Sequence, residues 1–257
     1  KDPEARLNKQ FAKMFDLNTD QMNYTIPNTV TEVFESIRDW KPKNSNIVNG
    51  IFTDSLAALS TNLEMGNKDG DKMGMRRAKE FSEGFRKTCR ELQSKNYLLV
   101  CSNQVRQNHD AGLYGPKYSS PGGEAIGFYS SLRLRCGSPT KIRPEKTVAG
   151  KKIKKVIGIT VKIEVFKNSV WRPYGTAPVT IIFDYGIDDI RQNLQFVKDY
   201  TSAKTYSVKE ESLAVSMDES IQLVEQNGLI NVLRGEVIDL WKEIDRQFRQ
   251  KRKPKRR

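Results

Sequence analysis

The sequence predicts an α/β protein in which a mostly parallel twisted sheet is flanked by helices and followed by a small C-terminal helical domain. Three observations carry this expectation. Short apolar, β-branched runs alternate with amphipathic stretches through the first hundred residues, the pattern of strands covered on both faces by crossover helices. Runs rich in β-branched residues between 128 and 183 extend the sheet. After Gly186 the periodicity turns helical, which divides the chain into a core at 1–186, a helical domain at 187–250 and a basic tail at 251–257.

Taken in order, Leu7, Phe11, Met14 and Phe15 recur at helical spacing within 4–15. Val30, Val33, Phe34 and Ile37 do the same within 28–40, where Asn28 is the expected cap. Stretches 23–26 and 47–53 read as buried strands. A long helix is expected over 73–93 and an apolar strand over 97–102. Ligands of such sheets sit beyond the carboxyl ends of the strands, which draws Asp54 and Gln104 toward one site. Residues 106–123, rich in Gly, Pro, Ser and Asn, are too long for an ordinary connection and too polar for core, so they read as a functional loop. Stretches 128–135, 151–167 and 179–183 read as strands, and 187–197, 217–227 and 229–248 as helices, with Asn227-Gly228 as a stop. Residues 202–216 show no clear period.

Composition narrows the function. No apolar run approaches the roughly 18 residues that span a bilayer. A net charge of +13, with six of the seven residues 251–257 cationic, makes nucleic acid the first partner to test. Cys89, Cys101 and Cys136 are three, widely spaced and without a CxxC, which argues against a disulfide framework and against zinc and for free thiols in a cytoplasm. His109, the single histidine, lacks partners for a metal site and reads as an exposed loop residue.

Ile51-Phe-Thr-Asp54-Ser55 is an apolar strand that delivers a carboxylate at its end. That is the Walker B arrangement, in which the carboxylate holds the water shell of a nucleotide's Mg²⁺; an Asp in this position also serves commonly as a helix cap. Ser102-Asn-Gln104-Val-Arg106, the loop, and Pro121-Gly-Gly-Glu-Ala-Ile-Gly-Phe-Tyr-Ser-Ser-Leu-Arg133 set several uncommon features at fixed distances. With these the sequence resembles the RecA recombinase family, from the first residues to about Ile187. Asp2-Pro3 resembles the pair that follows the strand bearing the family's catalytic Glu, and 53–59 resembles its Walker B segment.

The resemblance implies a RecA-type core that uses ATP and Mg²⁺. Asp54 would hold the metal through water beside Ser55, and Gln104 would sense the γ-phosphate. Lys167 and Asn168 match a Lys-Asn-Lys that reaches the next subunit's nucleotide; Ser169 replaces the second lysine, and Arg172 stands near enough in sequence to supply the lost charge. A first DNA-binding loop, flanked by Gly66 and Gly70, would end at Met73 and Gly74, with Arg77, Lys79 and Arg86 on the following helix. A second would run from Arg106 to Pro121, with Gly122 and Gly123 letting the backbone approach the strand. Gln107 to Asp110 depart from the bacterial pattern, which leaves Leu113 and Tyr114 as candidates to wedge between bases. Phe128 and Tyr129 match aromatics at the subunit boundary, with core packing as the alternative.

The implied activity is ATP-dependent binding of single-stranded DNA, assembly of a homo-oligomeric helical filament, and strand exchange with homologous duplex DNA in recombination and repair. A basic end and a short helical domain look most like a bacteriophage recombinase, acting in bacterial or host cytoplasm. No GxxxxGK[ST] occurs in the sequence and the catalytic Glu has no counterpart, so the chain is expected to be a fragment that does not hydrolyse ATP alone. The rival is a ring helicase or motor on the same fold, or an accessory DNA-binding module without exchange activity. Lys167 and the loop signature favour the recombinase.

Overall fold

In the computed structural model, which describes residues 1–66, 73–107, 118–209 and 211–252, the chain forms a mixed α/β structure of two compact units. One comprises 1–133 and 167–171, the other 134–166 and 172–257.

The first unit opens with α1 (Lys9–Met14), shorter than its apolar period suggests. Asp2 accepts hydrogen bonds from the N–H groups of Arg6 and Leu7 and holds 4–7 in a turn, so the helix starts only after its cap, Asn8. Residues 23–26 pair with no strand among the described residues and leave Tyr24 and Ile26 exposed, held by a bond from Asp2 N–H to the Thr25 carbonyl (2.9 Å). The expected strand there is therefore extended coil. Then follows α2 (Val30–Asp39), capped by Thr29 rather than Asn28: the Thr29 hydroxyl accepts from Glu32 N–H, and Glu32 reaches back to Asn28 N–H.

Next come β1 (Asn49–Thr53), α3 (Asn62–Met65), α4 (Met73–Ser94) and β2 (Tyr97–Cys101). Strands β1 and β2 run parallel in register, Asn49 beside Tyr97 and Thr53 beside Cys101. The inner faces of α2 and α4 meet over Val33, Phe34, Ile37, Phe81 and Phe85, with Phe34 edge-on to Phe85 at 4.8 Å between centroids. Gly84 of α4 faces that ring, and a Cβ there would overlap it, so the close helix contact requires glycine.

After β3 (Arg106–Gln107) and β4 (Tyr118–Ser119) the chain forms α5 (Glu124–Tyr129), where the sequence predicted a strand from 128. Tertiary packing decides this: Ile126 and Tyr129, three residues apart, lie on the α4 core, with Tyr129 stacked on Phe85 at 5.8 Å. The strand begins later, as β5 (Leu132–Cys136).

The second unit holds β6 (Thr140–Ile142), β7 (Glu145–Val148), β8 (Lys151–Lys154), β9 (Gly158–Asn168), β10 (Thr176–Ile182) and β11 (Gly186–Ile187), with the last residues of β9 belonging to the first unit. The single strand expected over 151–167 is two, because β8 pairs with β7 while β9 pairs with β6. The sheet order is β11-β10-β9-β5, and β6 shares an edge of β9. Among the described strands β1 and β2 pair in parallel, while β9 with β6 and β10, β10 with β11, and β7 with β8 pair antiparallel, so the described ladders do not by themselves make the mostly parallel sheet that was expected. Connections as short as 169–175, between β9 and β10, turn the chain straight back on itself, whereas a parallel crossover needs a dozen residues or more.

The helical end comprises α6 (Asp189–Tyr200) capped by Asp188, α7 (Met217–Gln226) and α8 (Ile230–Gln247). They bury Ile190, Leu194, Val197, Val224 and Leu233. Within 202–216 a small hairpin, β12 (Ser207–Val208) and β13 (Glu211–Ser212), adds Val208 to that core. Gly228, at φ 64, gives the expected stop after α7. No helix among the described residues is long and apolar enough to cross a membrane.

Candidate functional site

Two parallel neighbours end on the same side, so β1 and β2 deliver Asp54 and Ser102 together. The Ser102 hydroxyl donates to Asp54 Oδ1, and backbone bonds Ser102 N–H to Thr53 O (3.0 Å) and Leu56 N–H to Ser102 O (3.0 Å) lock the two exits. Asp54 is exposed, while Ser55 turns inward and donates to Glu4 Oε1 at 3.0 Å. Glu4 in turn pairs with Arg6 at 3.0 Å. An exposed carboxylate with one oxygen committed to a hydroxyl suits the outer water shell of a hard cation such as Mg²⁺, which keeps several of its waters when bound.

Beyond β2, Asn103 fastens the loop at both ends. Its Nδ2 donates to the Pro121 carbonyl (3.1 Å), and its Oδ1 accepts from Gln104 N–H (3.1 Å), leaving the Gln104 side chain exposed. Arg106, also exposed, pairs in β3 with Ser119 of β4, so a short antiparallel ladder closes the root of 108–117. Leu113, Tyr114 and His109 lie outside the described residues.

Gly122 (φ 95) and Gly123 (φ 73) follow, both in a backbone region that side-chain-bearing residues rarely adopt. A Cβ on Gly122 would lie 2.5 Å from Ile126 and 2.9 Å from Phe81, and one on Gly123 would lie 2.7 Å from Ala78. The pair is therefore required by packing on α4 as well as by the turn.

Gly74 sits in the first turn of α4, and the side chain of Met73 lies outside the described residues. Arg77 bridges to Glu64 at 2.9 Å, both about one-fifth exposed, so its charge is already matched. Lys79 and Arg86 are exposed on one face of the helix, opposite Phe81 and Phe85. Arg76, Lys87 and Arg90, which sequence reasoning passed over, are exposed beside them, and helical spacing puts all five on a single basic flank.

Lys167 Nζ donates to the carbonyls of Gly127 (2.9 Å) and Phe128 (3.0 Å), at the C-terminal end of α5 where a cation is favoured. Asn168 accepts from the N–H groups of Val170 and Trp171 (both 2.9 Å) and shapes the next turn. Arg172 belongs to the other unit and pairs there with Asp245 at 2.9 Å. The two aromatics of α5 part company: Tyr129 packs on the core, whereas Phe128 is 77% exposed.

Residues 1–188, more than half of the chain, match the RecA N-terminal domain family. The chain belongs to the RecA family. Protein RecA of Thermus aquaticus is 30% identical over 192 residues, 74% of this chain and 53% of the relative. Protein RecA of Bacillus licheniformis is 28% identical over 243 residues (92% and 66%), and that of Thioalkalivibrio sulfidiphilus 28% over 259 (99% and 69%). The chain spans about half to two thirds of the length of these curated relatives.

In this RecA-family chain, sequence reasoning missed Glu4 and Asn103. Glu4 meets a partner 51 positions away, and its one local signal is a carboxylate just after Asp2-Pro3. Asp2 itself is a local organiser. Burial works against its ionisation, but bonds from the Tyr24 hydroxyl and from the N–H groups of Leu7 and Arg6 outweigh that and hold its carboxyl below the usual carboxylate range. A depressed folded pKa gives stability that is fully present above the unfolded value of about 3.9 and is lost as pH falls through the folded one. Asp2→Asn is therefore expected to melt below the parent chain at neutral pH, with the gap shrinking once pH drops under about 4. Melting curves across that range check this, and a gap that stays constant refutes it.

Proposed function

We propose that the chain works as part of an ATP-dependent recombinase that binds single-stranded DNA, assembles into a helical homo-oligomer and pairs the bound strand with homologous duplex. The observation that carries this reading is the linkage of two sites in one compact unit: Asp54 and Ser102 at the strand ends, and the loop root at Arg106, fastened to them through Asn103 and Pro121. A ligand that moves the Ser102 to Gln104 segment thereby moves the mouth of the loop.

In this reading Arg106, Lys79 and Arg86, with the backbone around Gly74, Gly122 and Gly123, meet phosphates, and Leu113 or Tyr114 separates bases. Asp54 would hold, through water, the Mg²⁺ of an ATP, which offsets the charge of the phosphates when bound. Gln104 would register the γ-phosphate. Lys167, Asn168 and Arg172 would serve the neighbouring protomer, for which the exposed Phe128 offers an apolar contact. The parallel core expected around β1 and β2, the division at about 186 and a bacteriophage-type recombinase acting in the cytoplasm belong to the same proposal, supported by the family match over 1–188 and the basic tail.

Arg106→Ala provides the test. Each phosphate contact to a single strand contributes about 0.7 to the slope of log affinity against log salt. The variant is expected to bind a single-stranded oligonucleotide more weakly and with a slope flatter by about that amount. An unchanged slope overturns the assignment of this loop to DNA.

A further inference from the structure

The corner between α3 and α4 leaves two buried polar atoms of opposite kind without partners. Arg77 and Glu80, three residues apart on α4, are neighbours on the helix surface. Arg77 Nη2 donates to Glu64 Oε1 of α3 at 2.9 Å, while its Nε, a donor, is buried and meets no acceptor among the described residues. Glu80 Oε2, an acceptor, is also buried and meets no donor among them. A buried charged group with an open hydrogen-bonding position is unfavourable, and here a donor and an acceptor in that condition stand one turn apart.

Burial pushes the Glu80 carboxyl above its usual range; the Asn62 N–H of α3 opposes this, Glu64 and Glu83 add to it, and Arg77 opposes it. Glu80 also shares a shallow groove with Thr31, Glu35 and Arg38 of α2 and with Glu83 and Lys87 of α4. Two carboxylates, Glu64 and Glu80, thus compete for one guanidinium. Glu64 can spare it: its Oε2 accepts from Thr61 N–H at 2.5 Å in the capping box, so it keeps a partner when Arg77 leaves. Helix α3 has no buried residue, and Leu63 and Met65 are exposed, so the ion pair to Arg77 stands where an apolar anchor to α4 would.

We propose that Arg77 is a two-position switch, which either holds Glu64 and docks α3 on α4 or turns to Glu80 and releases α3. The first position is the one observed. In the second, Nε turns to Glu80 Oε2, and the two orphaned atoms satisfy each other in a charge-assisted bond. Proton uptake by Glu80 selects between the two. A neutral Glu80 carboxyl no longer draws the guanidinium and leaves it to Glu64. Because the docked arrangement holds the Glu80 pKa above its ordinary value, docking is favoured below the raised value and weakens as pH rises through it. The switch uses neither Asp54 nor Arg106, and it does not depend on the reading given to them.

The test compares urea midpoints at about pH 8 for the full chain, Glu80→Gln, Glu64→Gln and the double variant. In the parent, Glu80→Gln removes an ionised group that lacks a partner, and the midpoint is expected to rise. In the Glu64→Gln background Arg77 has moved to Glu80, so the same substitution is expected to lower the midpoint. An Arg77 fixed in place gives one sign in both backgrounds, and that result overturns the proposal. A second measurement leaves Glu64 unchanged. Hydrogen exchange at Met65 N–H, bonded to Thr61 O, and at Gly66 N–H, bonded to Leu63 O, reports docking, because a four-residue helix is not stable alone. Corrected for the pH dependence of the chemical step, protection in the parent is expected to fall with rising pH by up to about tenfold per pH unit. In Glu80→Gln it is expected to be higher and independent of pH. The same pH dependence in both chains overturns the proposal.

Discussion

Phe81→Ala is expected to destabilise the chain by about 3–5 kcal/mol, the usual consequence of emptying a buried aromatic site. Phe81 is 1% exposed, lies 6.3 Å from the rings of both Phe34 and Phe85, and supports Gly122 from below. The core of the first unit and the root of the loop therefore share one side chain. Urea denaturation checks the value, with a lower midpoint and an unchanged slope expected. Phe81→Leu, which leaves a smaller void, is expected to lose clearly less. Equal losses for the two variants would show that contact geometry, and not lost volume, sets the effect.

Gly122→Ala is expected to destabilise by about 2–5 kcal/mol, from two sources. A left-handed backbone costs a side-chain-bearing residue roughly 1–2 kcal/mol, and forcing a methyl against Ile126 and Phe81 adds about 1–3. Gly150→Ala separates them. Gly150 has φ 74, but no atom lies within 4 Å of the Cβ it would gain, so only the backbone contribution of about 1–2 kcal/mol applies there. Thermal unfolding of both variants decides, and comparable losses at the two positions would remove packing from the account of Gly122.

Elements whose pattern is local were legible in the sequence. Helix α4 announces itself by Ala78, Phe81, Phe85 and Leu92 on one face and cations on the other, and its observed bounds fall within a residue of those expected. Strands β1 and β2 were legible because runs such as 97–101 are apolar and end in polar residues. Helix α5 was not: Glu124 to Tyr129 spans less than two turns, includes Gly127 and two aromatics, and becomes helical because Ile126 and Tyr129 find α4. The Asn28 cap was misplaced by one residue because Asn and Thr both cap well, and the choice fell to which hydroxyl or amide met Glu32 N–H.

At the site, Asp54 and Gln104 were placed near one another by the rule for strand ends, and the structure brings their segments together. What sequence could not show is how polar side chains are already committed. Arg77 reads as a free cation until Glu64 is seen beside it, and Lys167 reads as a charge in waiting until the carbonyls of α5 are seen under its ammonium. Commitments of this kind join residues 13 to 40 positions apart, beyond the reach of any periodicity.

The bond from Asn103 to Pro121 and the β3–β4 ladder have a consequence for tolerance to change. They bring the ends of 108–117 together whatever lies between them, and the entropy of closing a segment of that size, about 2 kcal/mol, is met by the root alone. Doubling the segment adds only about 0.6 kcal/mol to that closure. Residues can therefore be inserted, deleted or exchanged between Gln107 and Tyr118 while Asp54, Ser102 and the α4 core keep their arrangement. The root is a splice point, at which new binding specificity can be fitted onto an unaltered frame.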